Sequence, residues 1–300
     1  MSQLASAAKA FLDHCRYAKS LSHHTVRAYR IDLQDFLQYL GADVDAPAIS
    51  SSTVESYVQH LRRRKLGAAT AKRRLGCLKV FFRWLEDAGT IATDPLDKLK
   101  LTIKLPRRLP RAITRRDLKE LVKSAARSET PQARGDTDLA IMLMATTGIR
   151  VAELVSIRLG DIDGSEGRVR IHGKGNRERT VFVTNRDLLG RLKAHCATRM
   201  PDEDGKAALF INRRGLPLST GAFRARLRKA CDHSKVSKRV TPHMLRHTAA
   251  TLLLEEGVDI RVVQRLLGHQ SISTTEIYTH VSDQSLRKAL TRADLAGHLV

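Results

Sequence analysis

The sequence predicts a mainly α fold in two domains, an N-terminal helical bundle and a C-terminal, mostly helical domain with a small β-sheet or hairpin. Three observations carry that expectation. Apolar residues recur at helical spacing through most of the chain. Prolines and a run of basic residues break the pattern between Pro95 and Arg116. One short stretch around Gly173 alternates with the two-residue period of a strand. A length of 300 residues suggests about two domains, and 42% hydrophobic residues can give each a core.

The first helix is marked by Leu4, Ala8, Phe11, Leu12 and Cys15. Ser22 reads as the N-cap of a second, which carries Val26, Tyr29, Leu33, Phe36, Leu37 and Leu40. A third spans about Thr53 to Arg64, with Val54, Val58 and Leu61 inward. A fourth, about Ala68 to Asp87, buries Leu75, Leu78, Phe81, Phe82 and Leu85. Its early turns carry Lys72, Arg73 and Arg74, which form either a solvated face or a face that contacts phosphate.

Pro95, Pro106 and Pro110 then interrupt any helix. Lys98, Lys100, Lys104, Arg107, Arg108, Arg111, Arg115 and Arg116 lie in this region with no acidic residue among them, as in a basic extended linker. Thr114 caps a new helix, with Asp117 in capping-box position. An apolar helix follows over Leu139 to Ala145. Val169, Ile171, Val181 and Val183 alternate around the turn Gly173-Lys174-Gly175-Asn176. Thr241-Pro242 opens a helix that stops at Gly257. Another runs from about Asp259 to Leu267 and ends at Gly268, with His269 just beyond. Ser273 and Glu276 form a capping-box pattern that places Tyr278 near the start of a third. Ser282 to Ala296 reads as a short amphipathic helix with Leu286, Leu290 and Ala293 on its stripe. Asp161, Asp163, Asp202, Glu203 and Asp204 fall in turn-like stretches and read as solvated loops.

Charge points to the partner. Lys and Arg total 53 against 31 Asp and Glu, a net +22. Such a chain is drawn to polyanions, with counterion release supplying much of the affinity. The competitor to nucleic acid is an acidic membrane surface. No apolar run reaches the roughly 18 residues of a bilayer span. Lys9 interrupts the only apolar stretch near the start, so no signal peptide is expected. Cys15, Cys77, Cys196 and Cys231 are scattered, as in reduced thiols of a cytoplasmic protein.

His243 and Arg246 lie one turn apart on one helix face. Arg150 and Glu153 are three apart and can pair. Lys174 sits at the hairpin tip. Each of these, like Tyr278, is ordinary alone. His243 and His247 have the spacing of a helical zinc pair, but Met244 stands where a metalloprotease needs Glu, so no metal site is expected.

As a set, Arg150, Lys174, His243, Arg246, His269 and Tyr278 resemble the active-site signature of the tyrosine recombinase, phage-integrase-like family, in particular its bacterial Xer-type members. The stretches TTGIRVAEL, HGKGNRERTV, TPHMLRHTAATLLLEEGVDI and LLGHQSISTTEIYTHV match the family's motifs in order and spacing. SHHTVRAYRIDLQDFLQYL is similar to its helical DNA-clamping domain, so the resemblance covers nearly the whole chain. The family admits His or Trp at the place of His269, and no motif residue is missing.

The resemblance implies a core-DNA-binding, SAM-like domain over residues 1–100, a basic linker over 101–113, and a catalytic domain over 114–300 that ends in a docking helix. It implies a site-specific recombinase that cleaves and rejoins DNA through a 3′-phosphotyrosyl intermediate and a Holliday junction. Tyr278 is then the nucleophile. A phenol with a pKa near ~10 needs a base, which is His243. Lys174 protonates the 5′-alkoxide. Arg150, Arg246 and His269 face the charge that grows on the non-bridging oxygens. Glu153 supports Arg150, and Lys72, Arg73, Arg74, Arg107 and Arg108 are candidate DNA contacts. The covalent link conserves the phosphodiester's energy, so no cofactor is expected, and the arginines stand in for metal ions. The implied partners are double-stranded DNA with paired half-sites and a homotetramer or a heterotetramer with a related recombinase. Chromosome segregation, plasmid or transposon resolution and integration are all roles within the family. Two other readings are a type IB-like DNA-relaxing enzyme and an architectural DNA-binding protein that never cuts.

Overall fold

The computed structural model describes residues 3–41, 44–64, 66–97, 99, 112–127, 136–173, 178–199 and 206–268. Lys174, Arg107, Arg108, His269, Tyr278, the acidic group at 202–204 and the helices expected after Gly268 lie outside the described residues. The chain divides into two units, Met1–Arg107 and Arg108–Val300.

In the first unit, α1 (Gln3–Asp13) runs into a π-helical turn, His14–Ala18. Then come α2 (His23–Leu40), α3 (Ser51–Arg63) and α4 (Ala68–Asp87). Ser22 caps α2 as expected, its hydroxyl accepting the Thr25 N–H at 3.2 Å. Ser50 caps α3 in the same way through Thr53 N–H, so this helix starts earlier than its apolar spacing suggests. The core is aromatic. Phe36 meets Tyr57 with ring centroids 4.9 Å apart, and Phe11 meets Phe81 at 5.3 Å, both edge to face.

Arg74 departs from the expected open basic face. It is buried, and its guanidinium reaches Asp35 and the buried Asp32. Asp35 also accepts hydrogen bonds from the Tyr57 hydroxyl and Arg64, each at 2.8 Å. Two clustered carboxylates would be costly to bury without cations, so Arg74 serves the α2–α4 contact instead of a phosphate. Arg73 pairs with Asp32 while staying half-exposed, and Lys72 is exposed.

The second unit contains α5 (Arg115–Arg127), α6 (Thr137–Thr147), α7 (Val151–Ser156), α8 (Arg186–Ala197), α9 (Thr220–Asp232), α10 (Pro242–Glu255) and α11 (Ile260–Leu267). Thr114 caps α5, accepting the Asp117 N–H at 3.1 Å. α6 is buried nearly all round, as its unbroken apolar run requires, and α5, α8, α9 and α10 pack on it. The expected hairpin is β2 (Arg168–His172) and β3 (Glu178–Phe182), with Val169, Ile171, Val181 and Val183 buried. A third strand, β1 (Ile162–Asp163), extends it to an antiparallel sheet in the order β1-β2-β3. Two residues are too few to show a period.

Asp161 corrects the reading of that acidic stretch as a solvated loop. It is buried, accepts the Arg158 N–H at 3.0 Å and pairs with His172 Nε2 at 2.9 Å. Asp163 does lie at the surface, paired with Arg168. The four cysteines are free, and burial pushes each thiol up. Among the described residues no helix is long and apolar enough to cross a membrane.

Candidate active site

The site begins where α6 stops. Gly148 adopts the left-handed conformation, φ +67°, that ends a helix. A Cβ there would lie 2.5 Å from Leu267 Cδ2, so glycine is needed for the turn and for the close approach of α11. The chain then places Arg150 just before α7. The Glu153 carboxylate, one turn into α7, accepts the Arg150 backbone N–H at 2.7 Å and its guanidinium at 2.9 Å.

α10 supplies the next two groups. Thr241 caps it and accepts the Met244 N–H at 3.3 Å, with Pro242 in the tolerated first position. Its opening turns therefore present His243 and Arg246 on one face. Arg246 is buried and donates to the Gly148 and Leu267 carbonyls, each at 2.7 Å. Both acceptors lie at helix C-termini, where carbonyls lack intrahelical partners and carry partial negative charge.

The end of α11 is the meeting point. Three successive carbonyls each accept from a different arginine: Leu266 from Arg179 at 2.9 Å, Leu267 from Arg246, and Gly268 from Arg150 at 3.4 Å. Gly268 is left-handed, φ +65°, and His269 follows it in the chain. Arg150 and Arg179 share the Glu153 carboxylate while Arg246 bonds the two carbonyls, so three guanidiniums stand against one carboxylate and the cluster is cationic, which suits a phosphodiester. Burial alone would raise the Glu153 carboxyl. Its bonds from Arg179 and the Arg150 N–H, and both guanidinium charges, outweigh burial and hold it below the usual carboxylate range. The His243 imidazole is lowered by desolvation first, then by Arg246 and Arg150. Its ring lies 4.0 Å from that of His247, edge to face.

Of the residues expected from the sequence, the structure brings Arg150, Glu153 and Arg246 together, with His243 beside them. One residue was missed. Arg179 grips both Glu153 oxygens, each at 2.8 Å. A signal for it exists: on β3 it shares the inner face with Val181 and pairs in register with the buried Ile171. A charged residue at an inward strand position demands a partner.

Residues 111–285 match the family described as "Phage integrase family", and residues 8–89 match "Phage integrase, N-terminal SAM-like domain". The chain is 33% identical over 289 residues to a tyrosine recombinase of Agathobacter rectalis, covering 94% of each. It is 36% identical to tyrosine recombinase XerC of Roseiflexus sp., covering 92% of this chain and 90% of the relative. Among solved structures, the XerH site-specific recombinase in a post-cleavage complex with its palindromic difH substrate is similar in fold. The TM-score is 0.74 at 23% identity, covering 95% of this chain and 84% of that one.

Proposed function

The chain belongs to the phage integrase family of tyrosine recombinases and is a site-specific DNA recombinase; from that premise we propose how its residues divide the chemistry. Tyr278 attacks the scissile phosphate, forming a 3′-phosphotyrosyl bond and breaking the bond to the 5′-oxygen. His243 takes the phenolic proton, and Lys174 delivers a proton to the leaving 5′-oxygen. Arg150, Arg246 and His269 stabilise the non-bridging oxygens, and Glu153 orients Arg150. Rejoining reverses these steps with the 5′-hydroxyl of the partner strand. The observation that carries this reading is the convergence of Arg150 and Arg246 on the end of α11, directly before His269, with His243 one turn from Arg246.

The substrate in this reading is duplex DNA with paired half-sites, bound by a tetramer of identical or related chains in the cytoplasm. The net charge of +22 and the basic residues Lys72, Arg107 and Arg108 support DNA engagement along the chain.

Replacing the 5′-bridging oxygen by sulfur tests the division of labour, because a thiolate leaves without a proton. Lys174→Ala is expected to lose cleavage of the ordinary junction and regain it on the sulfur substrate. Arg150→Ala should not be rescued, since its task lies on the non-bridging oxygens. Rescue of both variants, or of neither, would remove Lys174 from the acid role.

A further inference from the structure

We propose that Arg179 is a positioning residue for Arg150: it neutralises and fixes the Glu153 carboxylate, so that the Arg150 guanidinium is held in place with its charge available to the scissile phosphate. This rests on the role for Arg150 just given.

The geometry separates the two arginines. Arg150 leaves 46% of its side chain exposed, whereas Arg179 leaves 15% and Glu153 6%. Arg179 spends its donors on protein: Nε on the Leu266 carbonyl at 2.9 Å, Nη1 and Nη2 on the two Glu153 oxygens. This fork-to-fork pairing is the strong form of an arginine–carboxylate contact. Arg179 is therefore turned inward and joins β3 to α7 and to the end of α11.

Charge supplies the second argument. Glu153 touches Arg150 directly, and a lone carboxylate there would cancel the cation that the phosphate needs. Arg179 adds the compensating charge. Gly268 lies directly against Arg179: a Cβ there would be in van der Waals contact with the Cδ, Cζ and Nε atoms at 3.4–3.5 Å. A lysine could keep the charge but not all three bonds.

The test is single-turnover cleavage of a nicked suicide duplex by the full chain, with duplex affinity and thermal unfolding measured for each variant. Arg179→Gln should slow cleavage about 100-fold while affinity stays within about threefold. Adding Glu153→Gln should recover at least about tenfold of that loss, because it removes the uncompensated charge beside Arg150. A merely structural tie gives the opposite result, since the double variant loses further contacts. Arg179→Lys should stay within about tenfold of the parent rate, and it decides the matter if Arg179→Gln does not fold. Undiminished cleavage by Arg179→Gln, no rescue by Glu153→Gln, or an Arg179→Lys variant as inactive as Arg150→Ala would each overturn the proposal. Arg150→Ala is the control on the underlying reading. If it still cleaves, that reading falls and the role of Arg179 falls with it; if it is inactive, a failed rescue counts against Arg179 alone.

Discussion

Arg150, Arg179 and Arg246 bond neighbouring carbonyls yet differ in what else they can do. Arg246 is buried between two helix ends, Arg179 is committed to Glu153, and Arg150 remains half-exposed. Two of them act on His243, whose imidazole is lowered by desolvation first, then by Arg246 and Arg150. A base lowered in this way stays neutral further into acid than an ordinary histidine, which titrates near ~6.5. In the DNA-free protein, NMR should find His243 titrating below about 6.5, and Arg150→Ala should raise that value by removing one repelling charge. A midpoint above the ordinary value, or one that ignores Arg150→Ala, would contradict this account. Spacing along a helix or turn made the pairs Arg150–Glu153 and His243–Arg246 legible, and the family resemblance joined the two distant pairs into one site. Arg74 and Arg179 were not legible, because their partners, Asp32 with Asp35 and Glu153, come from distant segments. Arg179 left a faint trace as a charge on the inner face of a strand, while Arg74 sat in a basic triplet that looked like any exposed face.

Elements were legible where a cap or a period marks them. Ser22, Thr114 and Thr241 each accept the expected backbone N–H, and the left-handed glycines Gly257 and Gly268 sit at the expected helix ends. β1 is too short to have a period, and Asp161 is buried because it satisfies Arg158 and His172, a contact that its own turn-like context does not reveal. The C-terminal stretch from Ser282 to Ala296 is an expected element outside the described residues. An isolated amphipathic helix of about fifteen residues is marginal unless its stripe is covered, and a neighbouring subunit is the cover we propose. Deletion from Asp283 onward should leave binding to one half-site intact and abolish cooperative binding to paired half-sites. Gel shifts on single and paired half-sites measure both, and retained cooperativity would place the connector elsewhere.

At the scale of the molecule, the described helices of the first unit are held by an aromatic core, and those of the second gather around the buried α6. In the second unit this packing brings the ends of α6 and α11 to the opening turn of α10, where the arginines meet. The net charge of +22 draws the chain to DNA, and family membership says what it does there. The central claim is that strand cleavage proceeds through Tyr278. The most direct measurement is to trap the covalent complex on a nicked suicide duplex and identify the modified residue by mass spectrometry, with Tyr278→Phe alongside. The account predicts an adduct on Tyr278 joined to a 3′-phosphate, with none formed by Tyr278→Phe although it binds the duplex nearly normally. Adduct formation by Tyr278→Phe, or a modified residue other than Tyr278, would contradict it.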